Sequence, residues 1–337
     1  MEYGVGLMRI LRKYTDVPSE CRGLVLAIGN FDGVHRGHQS VIAHAQEEAK
    51  KRGVPAGVMT FEPHSREFFA PDAPPFRLSD LETKAAHLNW LGLDVMIALK
   101  FDLEFSQKSA EAFVKDVLVD GYGVSHVVVG YDFIFGHKRQ GTTVVLSELG
   151  RKYGFGVTVV EPVGESTTIF SSTAIRECLA AGDPHRAANL LGHWWEVEGR
   201  VIEGDKRGRT IGFPTANIPI TRYQQPKLGV YAVRVGLHEG NGTVWVDGVA
   251  NFGRRPTFDK QDILLEVHLL NFDQDLYGKK IRVAFVDYIR EEMKFSGIEE
   301  LEAQIHKDVE TAVRLLSEDE NRQGRYADKK GAVSGAA

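Results

Sequence analysis

The sequence predicts an α/β chain in two parts: a parallel sheet with helices on both faces, then an antiparallel β-barrel with a C-terminal helix. Three observations carry this expectation. The first half alternates short apolar runs with segments of helical periodicity, as a covered parallel sheet requires. After Trp195 the pattern turns strand-like, with turn signals such as Asn241-Gly242 between the runs. Near the end, Ile298, Leu301, Ile305, Val309, Ala312 and Leu316 fall on one helical stripe.

Taken in order, Leu24–Ile28 is an apolar run that reads as a buried parallel strand, and Val41–Lys51 as the helix after it. Ala56–Phe61 is the second strand, Leu81–Leu91 a helix and Val95–Leu99 the third strand. Ala110, Phe113, Val114, Val117 and Leu118 return at helical spacing. Val127–Val129 is a short strand, Val144–Tyr153 a helix and Val157–Val160 a further strand. Gly182 can close a helix in the left-handed conformation, Asp183 can cap the next, and Pro184 suits its first turn. The seam between the halves is therefore placed there, followed by a short helix to Leu191. Beyond it Glu196–Val201, Gly229–Leu237, Thr243–Ala250, Ile263–Leu270 and Lys280–Ile289 are strand candidates. The expected domains are 1–182 and 183–316, with 317–337 a polar, disordered tail. An open parallel sheet binds ligands beyond the carboxyl ends of its strands.

Composition bounds the function. The 337 residues suffice for two cores, and an apolar share of 43% with 26% charged residues is ordinary for a soluble globular chain. A net charge of −5 disfavours a nucleic-acid partner, which would call for a basic balance. No apolar run reaches membrane length, and the N-terminus lacks a continuous apolar stretch. The two cysteines, Cys21 and Cys178, form no metal-type spacing and read as reduced thiols of a cytoplasmic protein. Oligomeric state is left open.

The chemistry of the first half centres on Gly29-Asn30-Phe31-Asp32-Gly33-Val34-His35-Arg36-Gly37-His38. A glycine-rich strand-to-helix turn offers free N–H groups and a helix N-terminus to an anion. His35 and His38, three apart, share one face at that terminus. Two imidazoles over a helix start suit a nucleoside triphosphate. Three more strings sit at strand ends or helix starts: Thr60–His64, Gly130–Gly136 and Ser171–Arg176. Ser171, Ser172 and Thr173 bring hydroxyl donors, and Arg176 a fixed guanidinium for phosphate. Alone, the serines are an ordinary helix cap and Phe61 an ordinary core residue; co-occurrence is what raises them.

The second half carries Gly204-Asp205-Lys206-Arg207-Gly208-Arg209-Thr210-Ile211-Gly212-Phe213-Pro214-Thr215-Ala216-Asn217. Gly204, Gly208 and Gly212 let backbone approach phosphates, and Lys206 and Arg209 supply charge. Thr215 and Asn217, two apart, point the same way in an extended segment. Two neutral oxygens on one face suit Mg²⁺, which keeps several waters and needs few protein ligands. Asn251–Phe258, Leu265–Phe272 with Glu266, and Arg290–Phe295 follow.

Together these strings resemble the bifunctional riboflavin kinase/FAD synthetases of bacteria, from about Leu24 to about Leu316. The resemblance implies a Rossmann-like nucleotidyltransferase domain followed by a riboflavin-kinase barrel. The first would adenylylate FMN to FAD with ATP, and the second would phosphorylate riboflavin to FMN with ATP and Mg²⁺. It implies that His35 and His38 are catalytic, with Gly29, Phe31, Gly33, Asp132, Ser171, Ser172, Thr173 and Arg176 about the nucleotide. Phe61 and His64 would line the flavin side. In the barrel it implies Glu266 as the catalytic glutamate and Thr215 and Asn217 as the metal pair. Gly204, Lys206, Gly208, Arg209, Gly212 and Pro214 would hold ATP, and Arg290 and Phe295 the flavin. One departure stands out: Ser65 replaces the proline that usually follows the "PH" pair, which is expected to loosen that loop. Two other readings stay open, activity in one half only or a flavin sensor with decayed catalysis. The presence of His35, His38, Thr215, Asn217 and Glu266 argues against decay.

Overall fold

A computed structural model describes residues 8–165, 168–204, 208, 211–239, 242–256 and 261–318. The expectations for Lys206 and Arg209, and for the tail from 319 onward, lie outside these residues. The chain divides into two compact units: one takes residues up to Pro74 and Lys84–Phe170, the other Pro75–Thr83 and residues from Ser171.

The first unit is a parallel sheet. Its strands are β1 (Arg9–Leu11), β2 (Val25–Ile28), β3 (Ala56–Glu62), β4 (Val95–Lys100), β5 (His126–Gly130) and β6 (Gly156–Val160). They lie in the order β1-β4-β3-β2-β5-β6, all parallel. All four β2 residues are buried, so this central strand reads as an unbroken apolar run rather than an alternating one. Between the strands run α1 (Arg36–Arg52), α2 (Ser65–Phe69), α3 (Leu81–Trp90), α4 (Leu103–Ser106), α5 (Ala110–Ala112) and α6 (Thr143–Tyr153). Helix α5 widens into a π-helical run over Phe113–Gly121, whose Phe113, Val114, Val117 and Leu118 join the core with Leu26, Ile28, Val127 and Val129. The unit ends on a small hairpin of β7 (Gly164–Glu165) and β8 (Thr168–Ile169).

The second unit begins with α7 (Ser172–Ala181) and α8 (Pro184–Leu191). As expected, Gly182 closes α7 at φ 79°, and the Asp183 side chain accepts from the Arg186 N–H to cap α8, with Pro184 in the first turn. Then come β9 (Trp195–Arg200), β10 (Ala216–Pro219), β11 (Gly229–Glu239), β12 (Gly242–Pro256), β13 (Gln261–Leu269) and β14 (Lys280–Arg290). They form one antiparallel sheet in the order β10-β13-β12-β11-β14-β9. Its two outer strands meet through an antiparallel bridge between Ile202 and Asn217, which brings the sheet round on itself and covers edges that would otherwise be open. Helix α9 (Ile298–Ser317) lays Ala312 and Leu316 onto a core of Val230, Ala232, Val249, Ala284 and Val286.

The departures from expectation are local. Helix α1 starts at Arg36, five residues before Val41, so His38 lies inside its first turn. β1 and α2 have three and five residues, too short for periodicity to register. β12 runs on to Pro256, past Ala250. The α9 stripe is buried only in its C-terminal half: Ile298 is 53% exposed, while Ala312 and Leu316 are sealed.

Candidate active sites

In the parallel sheet the connections from β2 run outward through β3 to β4, and the chain then returns to place β5 on the other side of β2. The order reverses between β2 and β5, which is where open α/β sheets leave a crevice for a ligand. The turn after β2 therefore occupies the switch point. The segment after β5, with Asp132, is exposed beside it, and the Asp132 carboxylate folds back so that a Cβ on Gly130 would meet Oδ1 at 3.2 Å.

Phe31 (φ 48°), Gly33 (φ 81°) and Val34 (φ 43°) are all left-handed. For Phe31 and the β-branched Val34 this costs on the order of 1–3 kcal/mol each, strain that the surroundings must hold. The turn is closed by the Val34 N–H on the Phe31 carbonyl at 3.2 Å. His35 then caps α1, its Nδ1 accepting from the His38 N–H at 3.3 Å. The two imidazoles stack at 3.6 Å between centroids and 19° between planes, and the Phe31 ring meets His38 edge-on at 5.2 Å. Gly37 has no room for a side chain, since a Cβ would come within 2.8 Å of the Phe170 carbonyl. The paired rings thus sit over the N-terminus of a 17-residue helix, where dipole and free N–H groups favour an anion.

Phe61, at the end of β3, is half-buried in an aromatic group with Phe101 at 6.0 Å, Phe105 at 5.6 Å and Phe113 at 6.5 Å. His64 acts on the backbone, its Nδ1 accepting from the Arg66 N–H at 3.1 Å to cap α2. Ser65 is the first residue of that helix, a position that proline also suits. Ser171 caps α7 by accepting from the Ala174 N–H at 3.2 Å, with Ser172 and Thr173 in its first turn. Arg176 donates from Nε to the Phe76 carbonyl at 2.7 Å and lies over the Phe76 ring. Part of the guanidinium expected to meet phosphate is thus already engaged.

In the barrel the register is the informative quantity. Asn217 on β10 pairs with Glu266 on β13, and Glu266 pairs with Asn251 on β12. Directly opposed residues share a face, so Asn217, Glu266 and Asn251 form one row across three strands. Thr215 stands two residues before Asn217 on the same side. Asn217 is 3% exposed, and a Cβ on Gly204 would fall 2.4 Å from its amide, so Gly204 leaves the cradle that this side chain fills. The Gly208 carbonyl accepts the N–H groups of Ile211 at 3.2 Å and Phe213 at 2.8 Å, and Gly212 is left-handed at φ 81°. His268 Nδ1 lies 2.9 Å from the Pro214 carbonyl, and the Phe213 ring meets His268 and His306 edge-on. This compact turn leads the chain into Thr215 and Asn217. A carboxylate beside two neutral oxygens is a donor set that fits Mg²⁺, whose remaining positions go to water and phosphate.

Arg290 is anchored to the closing helix. It forms a bidentate pair with Asp308 of α9 at 2.8 and 2.6 Å and donates to the Glu291 carbonyl at 2.8 Å. Its guanidinium is 5.9 Å from the Phe295 ring. Sequence reasoning passed over Asp308, although a lone acid in register with Ala312 and Leu316 was a readable signal. It also quoted Asn251 without giving it a role.

The FAD synthetase family matches residues 17–174, and the riboflavin kinase family residues 191–316. A bifunctional riboflavin kinase/FMN adenylyltransferase of Escherichia coli K12 is 44% identical over 91% of this chain and 96% of its own. The protein so named in Haemophilus influenzae is 43% identical over 90% and 98%, and that of Bacillus subtilis 41% over 87% and 92%. A solved structure described as a macrolide-efflux protein from Streptococcus pneumoniae has the same fold, with a TM-score of 0.80 at 29% identity over 91% of this chain and 99% of that one. With the two family matches falling on the two halves in the same order, the chain belongs to the bifunctional riboflavin kinase/FMN adenylyltransferase family.

Proposed function

We propose that this chain performs its family's two reactions with the residues described above. It is a bifunctional enzyme: the C-terminal half phosphorylates riboflavin to FMN, and the N-terminal half transfers AMP from ATP to FMN, giving FAD and pyrophosphate. The proposed domains are 1–182 and 183–316. The register that sets Asn217 opposite Glu266 carries the residue-level reading, because it brings two motifs about 50 residues apart in sequence into one row.

In the barrel, Glu266 accepts the proton of the ribityl 5′-hydroxyl, or orients that hydroxyl, as its oxygen attacks the γ-phosphorus of ATP and ADP leaves. Thr215 and Asn217 hold Mg²⁺, which supplies charge neutralisation on the phosphates when bound. Gly204, Gly208, Gly212 and Pro214 shape the turn beside the nucleotide, with Lys206 and Arg209 adding charge. Arg290 and Phe295 are assigned to the flavin on sequence resemblance, with Asp308 fixing the Arg290 guanidinium. In the parallel-sheet unit, His35 and His38 stabilise the phosphates as the FMN phosphate oxygen attacks the α-phosphorus and pyrophosphate departs. Both reactants are anions, so held donors matter more than proton transfer here. Gly29, Phe31 and Gly33 set the turn, while Asp132, Ser171, Ser172, Thr173 and Arg176 are assigned to the nucleotide on sequence resemblance. The aromatic group around Phe61 supports a flavin-ring contact, and His64 orders the loop beside it. Cytoplasmic residence is proposed from the two buried, free cysteines; no helix among the described residues is long and apolar enough to cross a membrane.

Incubation with riboflavin, ATP and Mg²⁺, with flavins separated over time, tests the whole. FMN should appear first and FAD after it. Absence of FMN overturns the kinase reading, and FMN without FAD confines activity to the barrel.

A further inference from the structure

Beneath the Gly29–His38 turn lies a buried cation that the reactions above leave unused. Lys84 in α3 is 2% exposed. Its Nζ donates to the Asn30 carbonyl at 2.9 Å and to Thr60 Oγ1 at 3.3 Å, and lies 3.5 Å from Glu62 Oε1. Thr60 Oγ1 donates to the same Asn30 carbonyl at 3.0 Å. A lysine so buried needs a compensating charge and filled hydrogen bonds, and here Glu62 and the two oxygens provide them.

The Asn30 carbonyl is not an arbitrary acceptor. It belongs to the peptide plane that leads into Phe31, so fixing its direction fixes the entry to the left-handed φ of 48° there. The Phe31 ring then meets His38 edge-on, and His38 stacks on His35. From Lys84 to the imidazoles there are three steps, each a contact: ammonium to carbonyl, peptide to aromatic ring, ring to histidine pair. The charge-assisted bond is the strongest of them, and it acts on the peptide that enters the strained residue Phe31.

We propose that Lys84 is a positioning residue for adenylyl transfer, its buried ammonium clamping the Asn30 carbonyl so that the strained turn presents His35 and His38 to the triphosphate. This rests on the assignment of those histidines to the reaction. Glu62 is the counter-ion that makes the buried charge tolerable, and Thr60 the second donor that keeps the carbonyl in place.

The test compares Lys84→Met, Glu62→Gln and the double variant in the full chain. Readouts are kcat and KM for FAD formation from FMN, riboflavin phosphorylation on the same preparation, and thermal melting. Lys84→Met removes the cation that faces the Glu62 carboxylate and is expected to melt early. The double variant removes that carboxylate charge as well and should regain most of the lost melting temperature. Its kcat for FAD formation should nevertheless stay down about 10²-fold, the size that a displacement near 1 Å produces, with KM changed little and riboflavin phosphorylation within about twofold. Glu62→Gln alone removes the carboxylate beside the buried ammonium and should melt early, while its folded fraction keeps FAD formation because Lys84 still reaches the carbonyl. A double variant whose kcat returns along with its melting temperature overturns the proposal, because the lysine would then be structural only. So does a loss confined to KM. If the unaltered protein forms no FAD, or His38→Ala forms it at the normal rate, the underlying histidine assignment fails instead.

Discussion

Replacing His38 with alanine removes one ring of a stack that is 3.6 Å deep, together with the edge contact to Phe31. Loss of one preorganised donor to a developing charge typically costs about 3–4 kcal/mol, a few hundred-fold in rate. FAD formation from FMN should fall by that factor, with riboflavin phosphorylation near normal. Glu266→Gln should do the converse. It keeps the size and hydrogen-bonding reach of the side chain but removes the carboxylate, so FMN formation should drop by about 10²–10⁴-fold while FAD formation from supplied FMN persists. Measuring both activities of both variants gives a crossed pattern, and equal loss of the two in either variant would point to a folding defect. At this scale much was legible. His35, His38, Thr215 and Asn217 stand out in the sequence by residue type and spacing, and Glu266 by family resemblance. Lys84 does not: a lysine in a helix normally faces water, and only the neighbouring turn shows that this one is buried.

Among the elements, β14 and α9 are joined by an ion pair as well as by apolar packing. Arg290 is 18% exposed and Asp308 5%, with both guanidinium–carboxylate bonds made. Gln304 donates to the same carboxylate at 2.9 Å. Removing one partner of such a buried pair leaves the other uncompensated, at a cost of about 3–5 kcal/mol. Asp308→Ala should therefore lower the stability of the second unit by that amount in denaturant titrations, followed through riboflavin phosphorylation as the signal. A change below about 1 kcal/mol would show that the pair is solvated and that Arg290 is free to serve the flavin directly. The sequence displays the helix but not this joint, since the apolar stripe says which face is covered and nothing about which acid interrupts it. The short β1 and α2 escaped for a related reason. They are held by neighbours, β1 by its parallel register on β4 and α2 by the His64 cap, rather than by a pattern of their own.

For the molecule as a whole, the proposed split after residue 182 predicts that a fragment from Asp183 to Glu318 makes FMN from riboflavin and no FAD. The second unit also contains residues that this fragment lacks: Ser171–Gly182 with helix α7, and Pro75–Thr83, which precede β4 in the chain. Within that unit the Leu78 carbonyl accepts from Trp195 Nε1 at 3.0 Å, the Arg77 carbonyl from the Gln224 N–H at 2.7 Å, and Asp80 from the Tyr223 hydroxyl at 2.9 Å. Trp195 is 1% exposed and Tyr223 5%, so both are sealed in the full chain. A strand order read from one half could not reveal a nine-residue strap contributed by the other, because its contacts are long-range and its sequence, Pro75 to Thr83, has no periodicity. Without the strap the two rings meet water and lose fixed acceptors, each such hydrogen bond being worth about 0.5–1.5 kcal/mol. The fragment should therefore keep kinase turnover at low temperature, because Thr215, Asn217 and Glu266 and their strands are all retained, yet melt clearly below the full chain. Melting equal to that of the full chain would show that neither the strap nor α7 contributes stability. A soluble, folded fragment without kinase activity would count against placing that reaction in residues 183–316 alone.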